Sequence, residues 1–140
     1  MPTPLEFGID AHKAGTWETA LQQYGIAITH SPNDAFAYQL RGAVYLELGQ
    51  FLDALDDFNH AIRLSPFNEL GYLGKARAFV GLKDYRWAII QLSNAIDLIP
   101  EDARAADYYR ERADVYALLG QHESAEKDRN HAQSLVAQTA

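Results

Sequence analysis

One sentence recurs three times in this chain at a fixed interval: ALQQYGIAITHSP at Ala20 to Pro32, ALDDFNHAIRLSP at Ala54 to Pro66 and AIIQLSNAIDLIP at Ala88 to Pro100. Gly15, Ala20, Tyr24, Ala27 and Pro32 return as Gly49, Ala54, Phe58, Ala61 and Pro66, then as Lys83, Ala88, Leu92, Ala95 and Pro100. A period of about 34 residues means that each unit is one supersecondary element. It must stack on its neighbours to bury its apolar face.

Each repeated residue has a physical task. Small side chains at Ala20, Ala54, Ala88 and Ala125 let one helix approach another closely, and Tyr24, Phe58 and Leu92 fill the space one turn later. Gly15, Gly49 and Gly120 suit the left-handed cap at which a first helix ends, and Trp17, Phe51 and Tyr85 open a second helix with a ring. Proline stops that second helix, and Asp34, Asn68 and Asp102 are suited to cap the next. The pattern predicts eight helices, over residues 3–14, 17–30, 34–48, 51–64, 68–82, 85–98, 103–119 and 122–136. A fourth unit is displaced: Tyr109, Ala113, Tyr116, Gly120, Ala125 and Ala132 fall later than the period requires, which places three extra residues at Ala103, Arg104 and Ala105.

With Tyr38 and Tyr72 one period apart, Gly42 and Ala76 after them, and Tyr45 and Phe79 beyond, the chain resembles the tetratricopeptide repeat family over nearly its whole length. The tyrosines stand where that family has tryptophan. The resemblance implies an all-α fold, a right-handed α-α superhelix (solenoid) of four helix-turn-helix repeats. It implies a single domain over 1–140, with repeats at approximately 1–34, 35–68, 69–102 and 106–137 and the insertion near 103–105.

The resemblance also implies a concave groove, lined by the first helix of each pair, that holds a peptide segment or helix of another protein. Carried over by helical spacing, the first repeat contributes Leu5, Ile9, His12 and Lys13, and the second Phe36, Gln39, Leu40, Ala43 and Glu47. The third contributes Leu70, Leu73, Gly74, Arg77 and Val80, and the fourth Asp107, Arg110, Glu111 and Asp114. An apolar middle and an acidic end would suit a partner with apolar anchors and a basic flank. Leu40 and Leu73 read equally well as packing residues. A subset of the family grips chaperone C-termini with Lys and Asn on one groove helix, Asn on the next, and Lys and Arg on the third. Those places hold Leu5, Ile9, Leu40, Leu70 and Gly74 in one frame, and Gln39, Ala43, Gly74, Asp107 and Glu111 in the other, so no carboxylate clamp is expected.

Composition narrows the classes further. A formal charge of −7 over 140 residues opposes non-specific attraction to nucleic acid or anionic lipid. No apolar run approaches the ~18 to 20 residues of a membrane span, and no export signal opens the chain, so a cytoplasmic protein is expected. The absence of cysteine removes disulfides and thiolate metal sites. No phosphate loop, nucleophile elbow or H-E-x-x-H is present, so neither enzyme activity nor a cofactor is expected. His122, Glu126 and His131 have a metal-like spacing, but on an exposed polar helix they read as surface residues and no metal is expected. Asp53, Asp56 and Asp57 read as helix-start acids that suit the dipole. Residues 69 to 100 carry a net charge of +1, which reads as a solvated face.

The two ends depart from the pattern. Arg129 and Glu126 in the last helix replace apolar residues of earlier units, so it is expected to be a polar cap with no fifth unit behind it. The first helix has Pro4 in place of the aromatic, and Leu5, Phe7 and Ile9 make it apolar. Either it frays or another molecule covers it. Self-association through that helix or the groove is therefore the alternative function, ahead of an RNA-binding helical repeat.

Overall fold

The structure is a computed structural model that describes residues 1–138. Its helices are α1 (Pro4–Lys13), α2 (Trp17–His30), α3 (Ala35–Glu47), α4 (Phe51–Leu64), α5 (Glu69–Gly81), α6 (Tyr85–Asp97), α7 (Ala106–Leu118) and α8 (His122–Ala137). A single 3-10 turn, Ala103–Ala105, precedes α7. No strand occurs among the described residues, and none of their helices is long and apolar enough to cross a membrane.

The helix ends follow the repeated residues. Asp34 and Asn68 accept the backbone N–H of Phe36 and Leu70 at 3.1 and 3.0 Å, and Asp102 does the same for Arg104 in the 3-10 turn at 2.9 Å. Gly15, Gly49 and Gly120 take φ of 75°, 71° and 75° between the helices of their pairs. In the remaining pair that slot holds Lys83 at φ 60°, a conformation that L side chains adopt at a cost. The three residues that break the period do not lengthen α7: they form the 3-10 turn, with Ala105 buried against Ala132 and Leu135 of α8.

The chain divides into two compact units, Met1–Pro66 and Phe67–Ala140, each holding two helix pairs. In the first, α3 packs on both α4 and α2, and Ala11, Ala20, Tyr24 and Val44 form the core with Leu5, Ile9, Trp17, Leu21 and Leu40 against it. In the second, α7 packs on α8 and α6, and the core is Leu73, Ala76, Ala88, Leu92 and Val115, joined by Phe79, Val80, Tyr85, Ile89 and Tyr108.

Two close approaches shape the first unit. A Cβ on Gly8 would lie 2.5 Å from the Tyr24 ring, and one on Gly42 would lie 2.9 Å from the Phe58 ring. At these crossings a ring lies directly against backbone. The first helix is well anchored rather than frayed: Thr3 and Glu6 form a reciprocal capping box, Pro4 opens the helix, and Leu5 and Ile9 turn into the core. Phe7, between them, faces outward.

Candidate functional site: the open faces of the first helices

Residues four, three and four apart on an α-helix form one stripe. On α3 that stripe is Phe36, Leu40, Ala43 and Glu47, exposed at both ends and half-buried between. Phe36 keeps 49% of its surface, while Leu40 leans onto the core of its unit. Gln39, expected on the same face, is buried at 7%. Leu5 and Ile9 of the first repeat belong to the core, and His12 places Nδ1 3.2 Å from the Tyr24 hydroxyl, so only Lys13 of that set is fully open.

In the second unit the stripe on α5 begins at Leu70, which keeps 44% of its surface, and continues through buried Gly74 to exposed Arg77. Leu73 is core at 9%, and Val80 packs against the same cluster. The α7 stripe runs Asp107, Glu111, Asp114 and then Leu118, an exposed apolar residue that the helical spacing had not been carried far enough to include. Its place two turns after Glu111 was the available signal.

The acids of α7 have arginine neighbours. Arg77 Nε donates to Glu111 at 2.8 Å from α5, Arg110 to Asp107 at 2.9 Å along α7, and Arg129 to Asp114 at 3.5 Å from α8. The acidic end is thus a set of exposed ion pairs in which charge alternates. Each contributes little to stability, about 0 to 1 kcal/mol, and a partner's charge can replace it.

A different constellation lies behind these faces. In the first unit Arg41 reaches from α3 to buried Asp57 on α4 through two bonds, Nε at 2.8 Å and Nη2 at 2.7 Å. Its guanidinium lies 5.9 Å from the Tyr38 ring centre and 6.0 Å from that of Tyr45. The second unit repeats this at the matching positions: Arg112 of α7 grips Asp128 of α8 at 2.8 Å twice, with Tyr109 and Tyr116 at 5.2 and 5.8 Å. Arg112 also donates to Ser93 of α6 at 3.0 Å. Hydrogen bonds to the aspartate raise the pKa of each arginine, so both guanidinium groups stay charged. Asp57 is therefore the buried half of an ion pair and not simply a helix-start acid, which corrects the sequence reading. In the third repeat Lys75 takes the place of Arg41, and buried Gln91 takes that of the aspartate. Burial lowers the pKa of Lys75.

The candidate metal residues are not gathered. His131 places Nε2 2.8 Å from Glu101, which also accepts from the Tyr109 hydroxyl, while His122 and Glu126 stand exposed. No group of three or more His, Asp or Glu able to hold a metal occurs among the described residues.

Comparisons with known proteins agree with this architecture. The family model for the tetratricopeptide repeat matches residues 35–68. The SGT1 homolog of Oryza sativa subsp. japonica is 33% identical over 88 residues, 63% of this chain and 24% of that protein. Hsp70-Hsp90 organizing protein 3 of Arabidopsis thaliana is 30% identical over 105 residues, 75% of this chain and 19% of that protein. The chain thus spans a quarter or less of these curated relatives. Among solved structures, MamA (41-end) of Desulfovibrio magneticus RS-1 superposes with a TM-score of 0.87 at 21% identity, covering 96% of this chain and 75% of that one. A thermophilic TPR protein of Thermus thermophilus superposes with a TM-score of 0.79 at 26% identity, covering 94% and 72%. These likenesses extend the match from one repeat to an all-helical fold of the tetratricopeptide solenoid class over most of the chain. The chain belongs to the tetratricopeptide repeat family.

Proposed function

We propose that the chain is a protein-interaction scaffold whose first helices receive a peptide segment or helix of another protein. The observation that carries this reading is the pair Phe36 and Leu70. They occupy the same place in successive repeats, just after an Asp or Asn cap, and each leaves nearly half of a large apolar side chain in water. Leu40 and Leu73, nearby in sequence, are occupied by packing and support the faces from behind.

The partner chemistry that fits is an apolar anchor with a basic flank. Asp107 and Asp114 keep 88% and 74% of their side-chain surface, and their arginine contacts are exposed enough to be exchanged. The name of the Arabidopsis relative refers to Hsp70 and Hsp90. The cation set of a carboxylate clamp is missing here, since its places hold Leu5, Leu70 and Gly74 in one frame and Gln39, Asp107 and Glu111 in the other. Chaperone C-termini are therefore disfavoured as the partner.

The test compares proteins captured by the wild type and by Phe36→Ala/Leu70→Ala, both shown to be folded by circular dichroism. Partners retained by the wild type and lost from the variant support the reading. Equal capture by both sinks it. Phe7, half exposed on α1, favours self-association as the second reading. That reading requires a mass that rises with concentration and falls to a monomer in Phe7→Ala.

A further inference from the structure

The second unit holds an open pocket of about 620 Å³ between α7 and α8, on the side where Arg112 grips Asp128. Its volume lies within the range of small-molecule sites. Tyr109 and Tyr116 form aromatic walls on either side of the arginine. Ser124, Lys127, Asn130 and His131 line the rest.

Donors dominate this lining. Arg112 has five N–H groups, of which Asp128 and Ser93 engage three, and the two aromatic rings and the aspartate hold its fork in place. Lys127 makes no ion pair, and the side chains of Ser124 and Asn130 make no hydrogen bond, among the described residues. Asp128 offsets the charge of Arg112, so Lys127 leaves the pocket's own lining with a net positive charge. A further carboxylate, Glu101, is held by Tyr109 and His131 and does not line the pocket.

The molecule carries its own counter-example. Tyr38, Arg41, Tyr45, Asp57, Asn59 and His60 are spaced as Tyr109, Arg112, Tyr116, Asp128, Asn130 and His131 are, two periods and the inserted residues earlier. At the two remaining lining positions the first unit has Asp53 and Asp56, and the second has Ser124 and Lys127. On the same scaffold, two acids are exchanged for a hydroxyl and a cation. The histidine differs too: His60 stacks flat on Tyr38 at 4.8 Å and 16°, whereas His131 stands edge-on to Tyr109 at 76°, held by Glu101.

We propose that the α7–α8 pocket binds an oxyanion, a phosphate or carboxylate group borne on a small aromatic body. Lys127 and the free N–H groups of Arg112 receive the charge, Ser124 and Asn130 donate to its remaining oxygens, and the body lies against Tyr109 and Tyr116. This site is separate from the first-helix faces, and its test is independent of theirs.

The test is an amide NMR titration of the full chain with phenyl phosphate and, separately, with benzoate. The expected result is a saturable shift at Ser124, Lys127, Asn130 and His131, with none at Asp53, Asp56, Asn59 or His60. Tighter binding of one probe identifies which oxyanion the pocket prefers. Lys127→Glu, an exposed substitution that leaves the fold intact, should weaken binding by about tenfold or more. The proposal is overturned if these amides do not shift saturably, if every lysine and arginine region shifts alike, or if Lys127→Glu binds as the wild type does.

Discussion

Gly8 and Ala76 occupy the same place in the two units, and the difference between them extends through each core. In the first unit Tyr24 lies over Gly8, and small Ala37 sits near the start of the next pair; in the second, Leu92 and Tyr108 take the places of Tyr24 and Ala37. The second unit thus has a smaller side chain on the second helix of its first pair and a large ring, packed on the same cluster, on the first helix of its next. Volume lost at one position is regained at another, which is how close-packed interiors tolerate divergence. The arginine-aspartate pair did not move: Arg41 with Asp57 and Arg112 with Asp128 keep the same two-bond geometry, every bond at 2.7 or 2.8 Å. Apolar packing in this fold is exchangeable. A desolvated ion pair is exchanged only as a whole, as at Lys75 and Gln91 in the third repeat, because losing one partner alone leaves a buried charge.

The largest effect should come from that pair. Asp57→Ala and Asp128→Ala should each cost about 3 to 5 kcal/mol in urea unfolding. Similar losses in both units support a shared role, and a negligible loss in one breaks the equivalence. Next in size, Gly8→Ala should cost about 1 to 3 kcal/mol, since its Cβ would press on the Tyr24 ring. Adding Tyr24→Leu, which reproduces the Ala76 and Leu92 combination, should recover part of that loss in a double-mutant cycle. Additive costs would show that the ring-to-backbone approach is not what couples the two positions.

Alkaline pH probes both units at once. Burial pushes Tyr24 up to about 12, and burial together with the hydrogen bond to Glu101 pushes Tyr109 to about 12. Their folded pKa values exceed those of the unfolded chain, so the associated stability is present below about 10 and is lost as pH rises toward 12. Tyr24→Phe and Tyr109→Phe should each flatten that decline in unfolding midpoint. The smallest effect is Lys83→Gly, which gives the second unit the residue that Gly15 and Gly49 supply in the first. It should stabilise by about 0.5 to 1 kcal/mol, relief of the left-handed lysine exceeding the added freedom of the unfolded chain.

The fold was legible because its determinants are local and repeat. Caps at Asp34, Asn68 and Asp102, glycines at helix ends and small residues at crossings announce themselves at one position each, and a three-residue slip in phase located the 3-10 turn. The faces were only partly legible. Helical spacing groups Gln39 with Phe36 and Leu73 with Leu70, but a turn of about 100° per residue carries Gln39 and Leu73 into the buried side of their helices. The ion pair was missed because Arg41 and Asp57 lie on different helices, 16 residues apart, and recur only in alternate repeats. Laying DFNHA at Asp57 to Ala61 beside DRNHA at Asp128 to Ala132 exposes it.

The most direct test of the proposed recognition is site-specific photo-crosslinking in lysate. A benzoylphenylalanine replaces Phe36 or Leu70 in one set of proteins, and Trp87 or Ile90, exposed apolar residues of α6, in another. The account predicts that positions 36 and 70 crosslink to the same partner protein, that α6 does not, and that Asp107→Lys/Asp114→Lys weakens the yield. Crosslinks from positions 87 and 90 with none from 36 and 70 would contradict it and move the binding surface to the second helices.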